Sequence, residues 1–228
     1  MIVAQYIAAV IVGYILGSIP FGLLISKKFA KVDVREYGSG KTGATNVLRT
    51  AGKKAAVLVA VLDVSKGALA VVLAGLLVGK SYLVVGNFGL GSVLAQVLAA
   101  AASVAGHNWS IFLKFRGGSG VATFLGGFFA LCPIVALFGG EVIIIGASLT
   151  RFVSLGSIAG VVGTYAILIP LTVLNGFPIE YLVYALLGGL MIIYMHRGNI
   201  ARLLSGKERR IGEKAEKISD PPPEESKG

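Results

Sequence analysis

Residues 114–124, KFRGGSGVATF, put two cations, Lys114 and Arg116, ahead of Gly117, Gly118, Ser119 and Gly120, and an apolar run follows. A glycine-rich turn opening a helix gathers backbone N–H groups into an anion-binding nest, and the helix N-terminus adds partial positive charge. The same chemistry recurs in three other segments. Residues 36–54, EYGSGKTGATNVLRTAGKK, hold Ser39, Gly40, Lys41, Asn46 and Arg49. Residues 149–157, LTRFVSLGS, hold Ser154. Residues 195–208, MHRGNIARLLSGKE, hold His196 and Asn199, spaced i,i+3 so that they share a helix face. Carboxylates are scarce in the loops before the tail, Asp33 and Glu36 being the exceptions. Glycine, small hydroxyls, Asn and Arg or Lys together suit a phosphate-bearing ligand, because Arg can bond two phosphate oxygens at once.

Each feature also has a plainer reading. Glycines 38, 40 and 43 suit tight turns, and Arg49, Lys53 and Lys54 suit headgroup anchoring. Ser39 suits a turn cap. His107 suits a helix end bonded to a backbone carbonyl, and Trp109 suits the membrane interface. Asp63 and Lys66 are spaced i,i+3 in an apolar run, which predicts an intrahelical ion pair facing a bundle interior. Glu141 has no evident partner. There is no GxxxxGK[ST] phosphate loop and no Cys/His cluster suited to a metal. Phe112 and Ala201 stand where an aspartate would complete a His-x4-Asp acyltransferase dyad with His107 or His196.

The elements that position these residues are apolar. The chain has 228 residues, 55% of them hydrophobic and 14% charged, with mean hydropathy +0.83. A soluble domain carries about a quarter charged residues. Apolar runs at 2–26, 55–79, 82–105, 121–149, 153–174 and 179–196 approach or exceed the ~20 residues of a membrane span. The net charge of +10 does not point to nucleic acid, because Lys and Arg fall in blocks between these runs. The first cations, Lys27 and Lys28, follow the first run, the reverse of a cleaved signal peptide, so that run is read as a retained helix. Cys132 is the single cysteine, which excludes a disulfide framework.

Charge placement gives the topology. Residues 27–54 carry eight Lys or Arg, and the stretch from Arg197 onward carries eight. Both segments should be cytoplasmic. That holds only if the run 121–149 divides into two short helices near Cys132-Pro133. The reading is an all-α integral membrane protein of seven transmembrane helices over 1–204, N-terminus outside and C-terminus cytoplasmic. Residues 205–228 are read as a charged, disordered cytoplasmic tail. The polar motifs then all lie on the cytoplasmic face. A transporter or binding protein for an organic phosphate is the rival reading, but a transporter should carry polar groups through to both faces.

Five segments in order, GSGKTGATNVLRTAGKK, LDVSKG, GHNWSIFLKFRGGSGVAT, TRFVSLGSI and HRGNIARLLSGKE, resemble the bacterial acyl-phosphate:glycerol-3-phosphate acyltransferase family, PlsY, over about residues 5–210. The resemblance implies a seven-helix bundle of the bacterial cytoplasmic membrane, with its active site at the cytoplasmic face. It implies transfer of a fatty acyl chain from acyl phosphate to the 1-hydroxyl of glycerol 3-phosphate, without a cofactor, and a monomer is compatible with it. It implies catalytic roles for Ser39, Arg49, Ser154 and His196. It implies substrate contacts from Asn46, Asn199 and the turn 117–120, and we add Gly40, Lys41 and Arg116. Two positions depart from the family pattern. Lys41 stands where the family usually has Asn, and Ser119 stands where it has a phosphate-binding Lys. Lys41 is therefore expected to restore that charge from the neighbouring loop.

Overall fold

The computed structural model describes residues 2–85 and 88–218. Its helices are α1 (Ile2–Ser18), α2 (Phe21–Ala30), α3 (Ala44–Val78), α4 (Ser92–Asn108), α5 (Val121–Leu131), α6 (Pro133–Thr150), α7 (Val153–Asn175), α8 (Glu180–Met195) and α9 (Arg197–Leu204). Four continuous apolar stretches are long enough to cross a bilayer: Ile2–Ala30, Ala44–Val78, Pro133–Thr150 and Val153–Asn175. The protein is an all-helical integral membrane protein apart from one short ribbon, and shorter helices fill in between the long ones.

The run 121–149 does break at Cys132-Pro133. Pro133 has no N–H to donate, so it cannot continue α5, but it is well placed as the first residue of α6. The run 82–105 departs from the expected single helix. Leu83–Val85 pairs antiparallel with Phe88–Leu90 as strands β1 and β2, and α4 starts only at Ser92. Gly89 and Gly91 weaken helix at this point.

Within the bundle, lipid replaces water, so burial of apolar surface drives association weakly and close packing decides it. α1 and α4 meet at glycines: a Cβ on Gly17 would lie 2.0 Å from the Ser103 carbonyl oxygen. The central core is aromatic. Phe124 and Phe128 pack edge to face at 5.1 Å, and Tyr184 lies 4.8 Å from Phe128. The fully buried Tyr184 hydroxyl donates to the Phe124 carbonyl at 2.9 Å, so its polar tip has a partner. These contacts fix the start of α5, and with it the glycine turn.

The segment after α9 also departs from expectation. The part of the charged tail that the structure describes, 205–218, runs back along the loops instead of lying free. The Ile211 N–H donates to the Arg151 carbonyl at 2.8 Å, and the Ile218 N–H to the Glu36 carbonyl at 2.8 Å. Residues 219–228 of the expected tail lie outside the described residues.

Candidate active site

The first loop is organised by Asn46, which is buried at the start of α3. Its amide nitrogen lies 3.0, 2.9 and 2.9 Å from the carbonyls of Val34, Tyr37 and Lys41, and its oxygen accepts from the Ser39 N–H at 3.2 Å. Both its N–H groups are used inside the loop, and with its oxygen on the Ser39 N–H it positions Ser39 and Lys41. Gly40 supplies the turn between them, at φ +68°.

The glycine turn is held from below. The Gly117 N–H donates to the Asn108 carbonyl at 3.1 Å, and the Gly118 N–H to the His107 carbonyl at 3.0 Å. Gly118 lies against the His107 ring so closely that a Cβ there would be 2.1 Å from Nε2. Gly120 enters α5 at φ +82°, a left-handed conformation that glycine adopts at no steric cost. His107 is buried in turn beside Asp63, with Nδ1 3.5 Å from Oδ1, and Asp63 pairs with Lys66 at 2.9 Å. The expected intrahelical pair therefore exists, and it backs the turn through His107.

The third and fourth segments meet on one carboxylate. Glu208, only 8% exposed, accepts from Ser154 Oγ at 2.9 Å and Asn199 Nδ2 at 2.8 Å through Oε1. Its Oε2 accepts from Arg202 Nε at 2.8 Å. His196 is buried, with Nδ1 2.8 Å from the Ile192 carbonyl. That contact places a proton on Nδ1 and turns Nε2 away from the helix.

All four segments converge on one cavity of about 310 Å³. Its rim carries Ser39, Lys41, Asn46, Arg49, Ser119, Gly120, Ser154, His196, Asn199 and Glu208. Its wall is largely apolar, from Ala60 and Val64 on α3, Leu125 on α5, Ile143 on α6 and Val153 on α7, but the buried Asp63 and His107 line it as well. Lys41 reaches across the mouth: its Nζ donates to Ser119 Oγ at 3.3 Å and to the Met195 carbonyl. Burial, with Arg197 and Arg202 nearby, pulls this ammonium down to about 8, while Glu208 opposes the shift. A half-buried cation without a bonded carboxylate suits an anionic ligand.

Gly40, Gly117 and Gly118 shape the turns without lining the cavity. Arg116 stands apart from the others: it is exposed and does not line the cavity, and it follows two left-handed residues, Lys114 and Phe115, at φ 51° and 61°. Glu208 was missed. It stands in SGKERR as a lone carboxylate among three cations, which is the signal that could have found it.

The chain is therefore a helical membrane bundle with one cavity that combines cationic, hydroxyl and amide groups with apolar surface. The glycerol-3-phosphate acyltransferase family model matches residues 7–206, and this chain belongs to that family. It is 62% identical over 215 residues to glycerol-3-phosphate acyltransferase 3 of Dehalococcoides mccartyi (strain CBDB1), covering 94% of this chain and all of the relative. It is 41% identical over 216 residues to glycerol-3-phosphate acyltransferase of Clostridioides difficile (strain 630), covering 95% of this chain and all of that one. Among solved structures it matches PlsY (YgiH), an integral membrane glycerol 3-phosphate acyltransferase, in its glycerol 3-phosphate form, with TM-score 0.78 and 41% identity over 91% of this chain and 96% of that one. The lysophosphatidic acid form matches with TM-score 0.76 and 40% identity over 91% and 95%.

Proposed function

We propose that this chain transfers a fatty acyl group from acyl phosphate to the 1-hydroxyl of glycerol 3-phosphate, giving 1-acyl-glycerol 3-phosphate (lysophosphatidate) and phosphate. The observation that carries the reading is the cavity on which all four segments converge, with a cationic, hydroxyl-bearing rim and a largely apolar wall. Acyl phosphate joins a phosphate to a hydrocarbon chain, and the cavity pairs a cationic rim with largely apolar walls.

Acyl phosphate is a mixed anhydride, so its carbonyl is already activated and the reaction needs no cofactor. The glycerol hydroxyl oxygen attacks the carbonyl carbon, the bond from that carbon to the phosphate oxygen breaks, and the hydroxyl proton leaves with the phosphate. The protein positions two polyanions and offsets their repulsion. Lys41, Ser119 and Gly120 hold the acyl phosphate head. Arg49, His196 and Asn199 hold glycerol 3-phosphate, with Ser39 and Ser154 on the rim between. Lys41 takes the place of the lysine expected in the glycine turn, and its 3.3 Å contact with Ser119 supports that exchange.

The bundle sits in the cytoplasmic membrane with seven helices, α1, α3, α4, α5, α6, α7 and α8, the short α5 reaching only part of the way across, N-terminus outside and the rim at the cytoplasmic face. α2 lies at the inner surface, with Lys27 and Lys28 in its last turn. The test is phosphate release from palmitoyl phosphate by purified protein. Release that requires glycerol 3-phosphate, with lysophosphatidate appearing in step, is expected. A folded sample that releases none would favour the transport or binding reading.

A further inference from the structure

The segment 207–218 lies past the region that the family model matches, yet it touches the cavity through Glu208 and runs on beside it to the first loop. It starts at Glu208 in the cavity rim. It then bonds the third loop (Ile211 N–H to the Arg151 carbonyl, 2.8 Å), the helix bearing Arg49 (Ala215 N–H to the Arg49 carbonyl, 3.3 Å) and the first loop. At its end Lys217 bridges Tyr37, flanked by Gly38 N–H to Glu216 O at 2.9 Å and Ile218 N–H to Glu36 O at 2.8 Å. These anchors are backbone hydrogen bonds at the surface, with almost no apolar burial, which is the profile of an element that opens at low cost.

The strap also engages a proposed substrate ligand. Arg49 Nη2 donates to the Arg209 carbonyl at 3.2 Å and to the Arg210 carbonyl at 3.4 Å. A guanidinium can fork onto a phosphate through Nε and Nη2 or through Nη1 and Nη2, and Nη2 belongs to both edges. While the strap holds Nη2, Arg49 cannot grip a phosphate with two free nitrogens.

We propose that residues 209–218 form an autoinhibitory strap, which Arg49 holds shut and which glycerol 3-phosphate opens by competing for the guanidinium. This rests on the assignment of Arg49 to the glycerol 3-phosphate phosphate. The phosphate brings a double charge-assisted contact where the strap offers two neutral carbonyls, so the exchange favours opening. Turnover then requires the strap to leave the first loop.

The bridge permits a direct test. Tyr37 and Lys217 form a non-hydrogen-bonded antiparallel pair, whose Cα atoms lie ~4.5 Å apart in such ladders, within disulfide range. The full-length Tyr37→Cys/Lys217→Cys protein should lose at least about tenfold of its turnover on oxidation and regain it with reductant, while each single variant is indifferent to both. A quantitatively cross-linked enzyme that turns over at its reduced rate overturns the strap. Activity of the reduced protein separately tests the acyltransferase reading. Hydrogen exchange in the unaltered protein gives a second measurement. Saturating glycerol 3-phosphate should speed exchange at the Gly38, Ala215 and Ile218 amides, and unchanged or slower exchange there overturns the proposal.

Discussion

Asp63 and Glu208 are two buried carboxylates that do opposite work. Asp63 pairs with Lys66 on its own helix, three residues away, and Lys66 also donates to the Ile19 carbonyl at 3.1 Å at the end of α1. Glu208 is bonded by Ser154 across 54 positions and, within its own segment, by Asn199 and Arg202. The first cluster ties helix ends together beneath the glycine turn, and through Asp63 and the His107 beside it also reaches the cavity. The second brings two cytoplasmic segments to the cavity rim. An i,i+3 pair is legible from spacing, whereas a long-range hub is made only by the fold. The comparison shows that a charge near a site can serve stability or geometry, and that its partners tell which.

That contrast can be broken by substitution. Asp63→Asn leaves Lys66 buried without its counter-charge and should cost about 3–5 kcal/mol of stability. Thermal unfolding in detergent should show a large drop in Tm, and Asp63→Asn/Lys66→Met should recover much of it. Glu208→Gln keeps the shape and removes the charge that three donors share. Turnover should fall by about 100-fold, the loss expected when a charged hydrogen-bond hub is neutralised, with a much smaller change in Tm. If Glu208→Gln unfolds the protein as readily as Asp63→Asn, the distinction between the two clusters fails.

Smaller effects sharpen the picture of the rim. Lys41→Ala should raise KM for acyl phosphate by about tenfold or more, as loss of one charge-assisted contact does, while Lys53→Ala leaves it within about twofold. Equal kinetics for the two variants would remove Lys41 from the site. The same residue predicts a pH effect. Its ammonium in the free enzyme titrates at about 8. A bound phosphate favours the charged form, so acyl phosphate affinity should be full below that value and decline as pH rises through it. KM measured between pH 7 and 9 should climb by several-fold, and Lys41→Arg should flatten the climb. Arg116→Ala, outside the cavity, should change KM by less than about twofold.

Much of the site was legible because its chemistry is carried by short segments between apolar runs. Ser39, Lys41, Asn46, Arg49, Ser119, Gly120, Ser154, His196 and Asn199 do line one cavity. The break at Pro133 was legible because topology and the missing N–H agreed. Three features were not. β1 and β2 occupy apolar residues whose hydropathy does not distinguish strand from helix. Arg116 follows two left-handed residues that no composition rule anticipates. The strap carries almost no hydrophobic pattern, and its attachments are backbone groups, which are the same for every residue but proline.

The brevity of α5 has a consequence for where the reaction delivers its product. Its 11 residues rise about 16 Å, roughly half the ~30 Å hydrocarbon thickness. With its first residue at the proposed cytoplasmic rim, the helix ends near the middle of the bilayer. A chain lying along its Leu125 side therefore stays at the depth of one leaflet. Product leaving sideways would enter that inner leaflet without its tail meeting water. With the proposed topology, new lipid mass would enter one side of the membrane, and growth of the opposite side would depend on later transfer across it.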